Sequence, residues 1–221
     1  MPGESTLPDG RIAVTLSTLN EQENIGDLLR AIRSLGDGIH IVVADDDSRD
    51  GTVEIVRERA AADPRVHLLH RREDHGRGRA GIEAFRHALD LGADVVVEMD
   101  ADFSHRPEDI PALLHAVREA DVGVGSRLVE RGGETGRSPF RRALTRLSCA
   151  YGREMLGVPV RDMNSGFRCF RGEILRRIPW ERCLSTGPSI VQELNYRCFL
   201  LGARFREVPI LFEDRRGGRS K

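Results

Sequence analysis

The chain has 221 residues, enough for one substantial domain and short for two. With 39% hydrophobic and 31% charged residues it is not a disordered chain, and a formal net charge of −1 gives no bulk attraction to nucleic acid or anionic lipid. No apolar run approaches the ~20 residues of a membrane-spanning helix, Met1-Pro2-Gly3-Glu4-Ser5 carries no signal-peptide pattern, and the four scattered cysteines lack a C-x-x-C pair, which points to reduced thiols.

Strand and helix patterns alternate over the first ~125 residues, the arrangement of a mostly parallel sheet flanked by helices. Residues 1–10 are expected to be a flexible segment ahead of a single domain over 11–221. Ile12 to Leu16 reads as a buried strand, and Asn20 as the N-cap of a helix with Ile25, Leu28, Leu29, Ile32 and Leu35 on one face. Ile39 to Ala44 is a second strand, ending in Asp45-Asp46-Asp47-Ser48. A helix begins near Asp50-Gly51-Thr52, and Val66 to Leu69 forms a short strand. Gly76-Arg77-Gly78 then leads into a helix with Ile82, Phe85 and Leu89 inward, a pair of glycines that a tight turn explains without a phosphate. The strand Asp94 to Met99 terminates in Asp100-Ala101-Asp102. Pro107 suits the next helix start, and Val122 to Gly125 leads to Ser126-Arg127. Residues 128–138, with three glycines, read as a mobile loop. Pro139 to Leu156 is a helix with Phe140, Leu144, Leu147, Tyr151 and Met155 on one face and Arg141, Arg142, Arg146 and Arg153 on the other. Gly166–Phe170 is a strand, Ile190–Leu201 a helix and Phe205–Phe212 a strand.

The acids fall at strand ends. In an open α/β sheet, ligands bind beyond the carboxyl ends of the strands, and there Asp45-Asp46-Asp47 and Asp100/Asp102 would crowd like charges unless a cation offset them. Two carboxylates in Asp-x-Asp can reach one hard cation; Mg²⁺ and Mn²⁺ take one or two carboxylates plus substrate phosphate oxygens. A capped, solvated turn is the bland alternative for the same three residues. Convergence of several strand-end acids favours the metal.

Six ordered motifs carry a resemblance over nearly the whole chain: Thr18 to Asn24 (T-L-N-E-Q-E-N), Val43 to Thr52 (V-A-D-D-D-S-R-D-G-T), Met99 to His105 (M-D-A-D-F-S-H), Gly125-Ser126-Arg127, Asp162 to Arg168 (D-M-N-S-G-F-R), and Val208-Pro209-Ile210 followed by Asp214-Arg215 and Gly218 to Lys221. The chain resembles the GT-A-fold, family 2 glycosyltransferases, and among them the dolichyl- or polyprenyl-phosphate mannosyltransferases. The resemblance implies a Rossmann-like nucleotide-sugar-binding fold without a transmembrane helix. It implies inverting transfer of mannose from GDP-mannose to a polyprenyl or dolichyl monophosphate, at the cytoplasmic face of a membrane to which the protein is peripheral. It further implies that Asn20, Glu21, Asp45, Asp46 and the Ala101 position line the nucleotide pocket, and that Asp100 and Asp102 hold Mg²⁺ or Mn²⁺ with Ser104 as a further oxygen. Arg127, Arg168 and Arg215, with Lys221, are implied as phosphate ligands, and Asp102, Arg127 and Arg215 as the catalytic set. Arg141, Arg142 and Arg146 are further phosphate candidates, since guanidinium forks bind phosphate bidentately.

Departures from the pattern fall at Ser17 and Leu19, where proline and tyrosine are usual, and at Pro188, where an aromatic is common. Relatives commonly continue beyond the equivalent of Lys221, which leaves membrane anchoring to a further segment or a partner subunit. Two other readings stand beside mannosyl transfer: a family 2 transferase using another nucleotide sugar such as UDP-glucose, and a catalytically silent nucleotide-sugar-binding subunit. The intact Asp100/Asp102 pair and Arg127 favour an enzyme.

Overall fold

The computed structural model describes residues 10–213; Asp214-Arg215 and Gly218 to Lys221 of the closing motif lie outside the described residues, as do residues 1–9. In chain order the elements are β1 (Ile12–Thr18), α1 (Gln22–Arg33), β2 (Ile39–Asp45), α2 (Thr52–Ala62), β3 (Val66–His70), α3 (Arg77–Asp90) and β4 (Val95–Asp100). A 3-10 turn over Pro107–Asp109 runs into α4 (Ile110–Ala116), followed by β5 (Val122–Ser126), β6 (Gly133–Glu134), α5 (Pro139–Leu156), β7 (Arg168–Arg171), α6 (Gly172–Arg176), α7 (Ile190–Leu200), β8 (Phe205–Pro209) and β9 (Leu211–Phe212). Seven strands form one sheet in the order β3-β2-β1-β4-β7-β5-β8. All its pairings are parallel except those of β7, which is wedged antiparallel between β4 and β5.

Alternation along the central strands sorts the core into two layers. Ile12, Val14 and Leu16 of β1 face Ile25, Leu28, Leu29 and Ile32 of α1 and Leu113 and Leu114 of α4. Ala13, Val42 and Ala44 turn to the other layer, where α3 presents Ala80, Ala84, Phe85 and Ala88. Small side chains on both sides let α3 lie close to the sheet, with Phe85 filling the space against Phe170 and Trp180.

Register delivers the acids to one edge. Ser17 lies opposite Asp100 on one side, and Thr18 lies opposite Asp45 on the other. Among the described residues no helix is long and apolar enough to cross a membrane.

Two expectations change here. The loop 128–138 contains β6, which pairs in parallel with β9, so part of it is fixed to the end of the chain's last described strand. Asn20 is not a helix N-cap: that position is Glu21. Asn20 sits in the left-handed region (φ 53°), takes the Arg49 amide on Oδ1 (2.8 Å), and gives its own N–H to Ser48 Oγ (2.7 Å). It ties the β1–α1 turn to the β2–α2 turn.

Candidate active site

Those two turns are joined a second time. Glu21 donates its amide to Thr52 Oγ1 (2.8 Å), and Asp50 accepts the amides of Gln22 and Thr52 at 3.0 Å each. Glu21 is thereby held on the rim of a cleft of about 570 Å³ lined by Thr18, Leu19, Asp46, Gly76, Arg77 and Asp100 as well. Ser17 and Pro188, both departures from the family pattern, line it too.

The three consecutive aspartates divide their work. Asp45 is fully buried and accepts Thr18 Oγ1 and Ser48 Oγ (2.6 Å each) and the Ser48 amide (2.8 Å). It locks the ends of β1 and β2 and does not line the cleft, which corrects its assignment to the nucleotide pocket. Strand alternation turns Asp46 the other way, into the cleft, where it pairs with Arg71 and accepts the Gly76 amide (2.7 Å). Asp47, with φ 59°, meets His70 at 3.0 Å.

β4 carries Asp100 to the floor of the same cleft. Its Oδ1 is paired with Arg77 from the first turn of α3, and the carboxylate holds that guanidinium above its ordinary pKa against the pull of burial. Gly166 leaves room for the approach: a Cβ there would stand 2.7 Å from Arg77 Nη2, and the tip of that side chain would have to move aside. The Gly76-Arg77-Gly78 stretch is likewise set by packing, since a Cβ on either glycine would meet the carbonyl oxygen of Thr186 or Ser185 at 2.5 Å. The tight-turn expectation for these glycines gives way to close packing on the Ser185–Thr186 backbone, and it overlooked the arginine between them.

Beyond Asp100 the chain turns sharply, with Phe103 at φ 59°. Asp102 is buried and accepts the Ser104 amide at 3.0 Å. The Ala101 methyl belongs to the hydrophobic core, so that side chain does not line the cleft as expected. Ser104 Oγ is buried and has no hydrogen-bond partner among the described residues. A buried hydroxyl is seldom left so. Two carboxylates and an orphaned hydroxyl make an all-oxygen donor set suited to a hard divalent cation. Among the described residues no three His, Cys, Asp or Glu side chains are gathered as they would be around a metal ion. His105 is also buried, with its pKa lowered by burial; its Nδ1 accepts the Asp100 amide (3.1 Å) and its ring stacks on Phe167. It braces the turn from beneath.

Two of the expected arginines behave differently from each other. Arg127 faces a second cleft of about 400 Å³, shared with Arg146, Arg153 and Arg161. Asp162 grips it with Oδ2 on the Arg127 amide (3.0 Å) and Nε (2.7 Å), and Oδ1 on Nη2 (2.7 Å). Burial pulls the Arg127 pKa down, but the fork with Asp162 wins and raises it. Burial first and Asp162 second push the neighbouring Cys149 up to about 11, keeping it a neutral thiol. Arg168 is different. It is fully buried on β7, bonded through Nε to Glu98 Oε2 (2.9 Å) and through Nη1 to the Val191 carbonyl (2.8 Å) and Asn195 Oδ1 (3.2 Å). Its fork is engaged inside the core by Glu98, Val191 and Asn195, and the structure buries Arg168 away from both clefts, where the phosphate-binding reading had not expected it. Glu193 pairs with Arg197 and also takes the Leu184 and Ser185 amides. These bonds outweigh its burial and draw its pKa down to about 2.

The model of the family described as "Glycosyl transferase family 2" matches residues 13–179, three quarters of the chain. The chain belongs to glycosyl transferase family 2. It is similar to an undecaprenyl-phosphate mannosyltransferase of Micrococcus luteus, 40% identical over 96% of this chain and 87% of the relative. It is similar also to a polyprenol monophosphomannose synthase of Mycolicibacterium smegmatis, 40% identical over 97% and 82%. A dolichol-phosphate mannosyltransferase of Pyrococcus furiosus is 33% identical over 96% of this chain, which spans 59% of that protein. Among solved structures, glucosyl-3-phosphoglycerate synthase from Mycobacterium tuberculosis, in complex with Mn²⁺, UDP and glucosyl-3-phosphoglycerate, superposes with a TM-score of 0.69 at 23% identity, covering 96% of this chain and 74% of that one. That likeness carries the GT-A fold. This family 2 glycosyltransferase therefore places Glu21, Asp46, Arg77 and Asp100 around one cleft and Arg127 in another, while Asp45, Ala101 and Arg168 support them from the interior.

Proposed function

We propose that this glycosyltransferase moves mannose from GDP-mannose to a polyprenyl monophosphate with inversion at the anomeric carbon. The observation that carries this reading is the Asp100/Asp102 turn opening on a nucleotide-sized cleft, in a chain 40% identical to two polyprenyl-phosphate mannosyl-transferring enzymes over nearly its full length. Asp100 and Asp102, with Ser104, would hold Mg²⁺ or Mn²⁺; bound there, the cation supplies positive charge to the departing nucleoside diphosphate. Glu21 and Asp46 are the carboxylates on the cleft wall that would meet base or ribose donors. Arg77, already beside Asp100, is placed to follow charge developing on the diphosphate.

The acceptor needs no strong general base. A phosphate monoester has a second pKa of ~6, so its attacking oxygen is already anionic at neutral pH. That oxygen forms the new bond to the anomeric carbon as the bond to the nucleoside diphosphate breaks, and the electron pair leaves with the diphosphate. Arg127, with Arg146 and Arg153 on the same cleft wall, holds the acceptor phosphate against repulsion from the donor. The protein works at the cytoplasmic face of a membrane, as a peripheral enzyme or with an anchoring partner subunit.

A panel of radiolabelled nucleotide sugars (GDP-mannose, UDP-glucose and others), each incubated with Mg²⁺ or Mn²⁺ and a polyprenyl phosphate, tests the donor. Label entering the organic phase from GDP-mannose alone is expected. Label entering from UDP-glucose instead would overturn the mannosyl reading, and retained nucleotide binding without any transfer would make the chain a silent subunit.

A further inference from the structure

The first turn of α3 presents Arg77 to Asp100, yet α3 has no capping side chain of its own, since Gly76 stands at the N-cap position. Its first amides are met from outside the helix. Asp46 takes the Gly76 amide (2.7 Å), and the Thr186 carbonyl takes the Gly78 amide (2.9 Å). Arg77 therefore sits between two tertiary hydrogen bonds, and the second comes from the segment ahead of α7. That segment is packed closely on α3. A Cβ on Gly78 would stand 2.5 Å from the Ser185 carbonyl oxygen and 2.9 Å from the Thr186 carbonyl carbon, both backbone atoms. At one end of the segment Trp180 stacks on Phe85 of α3. At the other, Pro188 lines the cleft shared by Arg77 and Asp100.

Burial does not hold this segment in place. Leu184, Thr186 and Pro188 are exposed, Leu184 by 87%. Its backbone is held instead by Glu193, in the first turn of α7, a helix seated in the core by Ile190, Val191, Leu194 and Cys198. Glu193 Oε2 accepts the Ser185 amide (2.7 Å), and the Leu184 amide lies 3.0 and 3.2 Å from the two carboxylate oxygens. Arg197, one turn on, fixes that carboxylate through Nε (2.9 Å) and Nη2 (2.7 Å). Such charge-assisted bonds are stronger than neutral ones. An unbroken line of contacts then runs from Arg197 to Glu193, the Leu184 and Ser185 amides, the Thr186 carbonyl, the Gly78 amide and Arg77. Glu193 lines neither cleft, so it acts through this backbone and not on a substrate. We propose that Glu193 is a positioning residue: by fixing the 184–186 backbone against the first turn of α3, it sets where the Arg77 guanidinium stands. This rests on the reading of Arg77 as the group that meets the departing diphosphate, and adds the residue that keeps it there.

A double-mutant cycle in the full chain tests this, read by steady-state transfer from GDP-mannose to a polyprenyl phosphate. Glu193→Ala should lower kcat/KM for the nucleotide sugar about tenfold and leave the KM for the polyprenyl phosphate unchanged. Arg77→Ala should lose at least as much, and E193A/R77A should lose no more than Arg77→Ala alone. Gly78→Ala displaces the same backbone from the α3 side with Glu193 intact. It should reproduce the donor-selective loss, which keeps the test open where Glu193→Ala is too unstable to assay. Losses that multiply in E193A/R77A, an equal rise in both KM values, or a Gly78→Ala enzyme with wild-type donor kinetics would overturn the assignment. The same cycle read as affinity for GDP and for UDP in the presence of Mn²⁺ needs no transfer. Failure of the mannosyl reading, seen as no label from GDP-mannose with wild-type protein, is thereby distinguishable from failure of the Glu193 assignment, seen as multiplying losses of nucleotide affinity.

Discussion

Replacing Arg168 with methionine separates a core role from a phosphate-binding one. The side chain is fully buried, and its removal strands Glu98, whose side chain is only 11% exposed. It also deprives the Val191 carbonyl and Asn195 Oδ1 of donors. Leaving one member of a buried ion pair without its partner costs about 3–5 kcal/mol. For a chain of this size about 2–4 °C of melting temperature is lost per kcal/mol, so Arg168→Met should melt some 6–20 °C lower. Filling the whole site with apolar groups removes the stranded charge, and the double variant E98L/R168M should recover most of the loss. Differential scanning fluorimetry or urea titration reads the stability, and initial rates at permissive temperature read the kinetics. Arg168→Met should leave the KM for nucleotide sugar near wild type in the fraction that remains folded. An unchanged melting temperature with a raised KM would refute the core assignment and return Arg168 to the phosphates.

Asp162→Asn should free the Arg127 fork: a charge-assisted set of bonds is lost at a cost of about 1.5–3 kcal/mol in stability, and the KM for the lipid phosphate should rise more than that for the donor, read from steady-state kinetics. Gly166→Ala puts a methyl 2.7 Å from Arg77 Nη2 and should lower kcat/KM about tenfold with little change in melting; full activity would show that the Arg77–Asp100 contact is dispensable. Burial lowers the pKa of His40, His67 and His105 below the usual 6.5. The unfolded chain therefore takes up protons first as pH falls, and the stability present above about pH 6.5 declines below it; melts at pH 7.5 and 5.0 should show the drop, and a flat profile would contradict the lowered histidine pKa values.

Much of this architecture can be read in the residues. β1, β2 and β4 are short apolar runs bounded by polar turns, and α1 has a clear amphipathic spacing, so these elements fall within a residue or two of expectation. What stayed hidden depends on tertiary placement. Nothing local says that β7 inserts antiparallel between β4 and β5, and it is that insertion which buries Arg168 against Glu98. Three aspartates in a row look alike until register fixes Asp45 under Thr18 and turns Asp46 outward. Arg77 reaches Asp100 because α3 starts beside the end of β4, a proximity that a G-x-G pattern does not announce. The apolar face of α5 was visible as a face; only the fold shows that it stays more than half exposed among the described residues.

The most direct test of the account is transfer itself, with the acid pair as its control. Wild-type protein, GDP-[¹⁴C]mannose, Mg²⁺ or Mn²⁺ and a polyprenyl phosphate should yield acid-labile label in the organic phase, lost on chelation. Asp102→Ala should abolish that label while far-UV circular dichroism stays unchanged. Organic-phase label from Asp102→Ala at the wild-type rate would contradict the claim that the Asp100–Asp102 turn is the chemical centre.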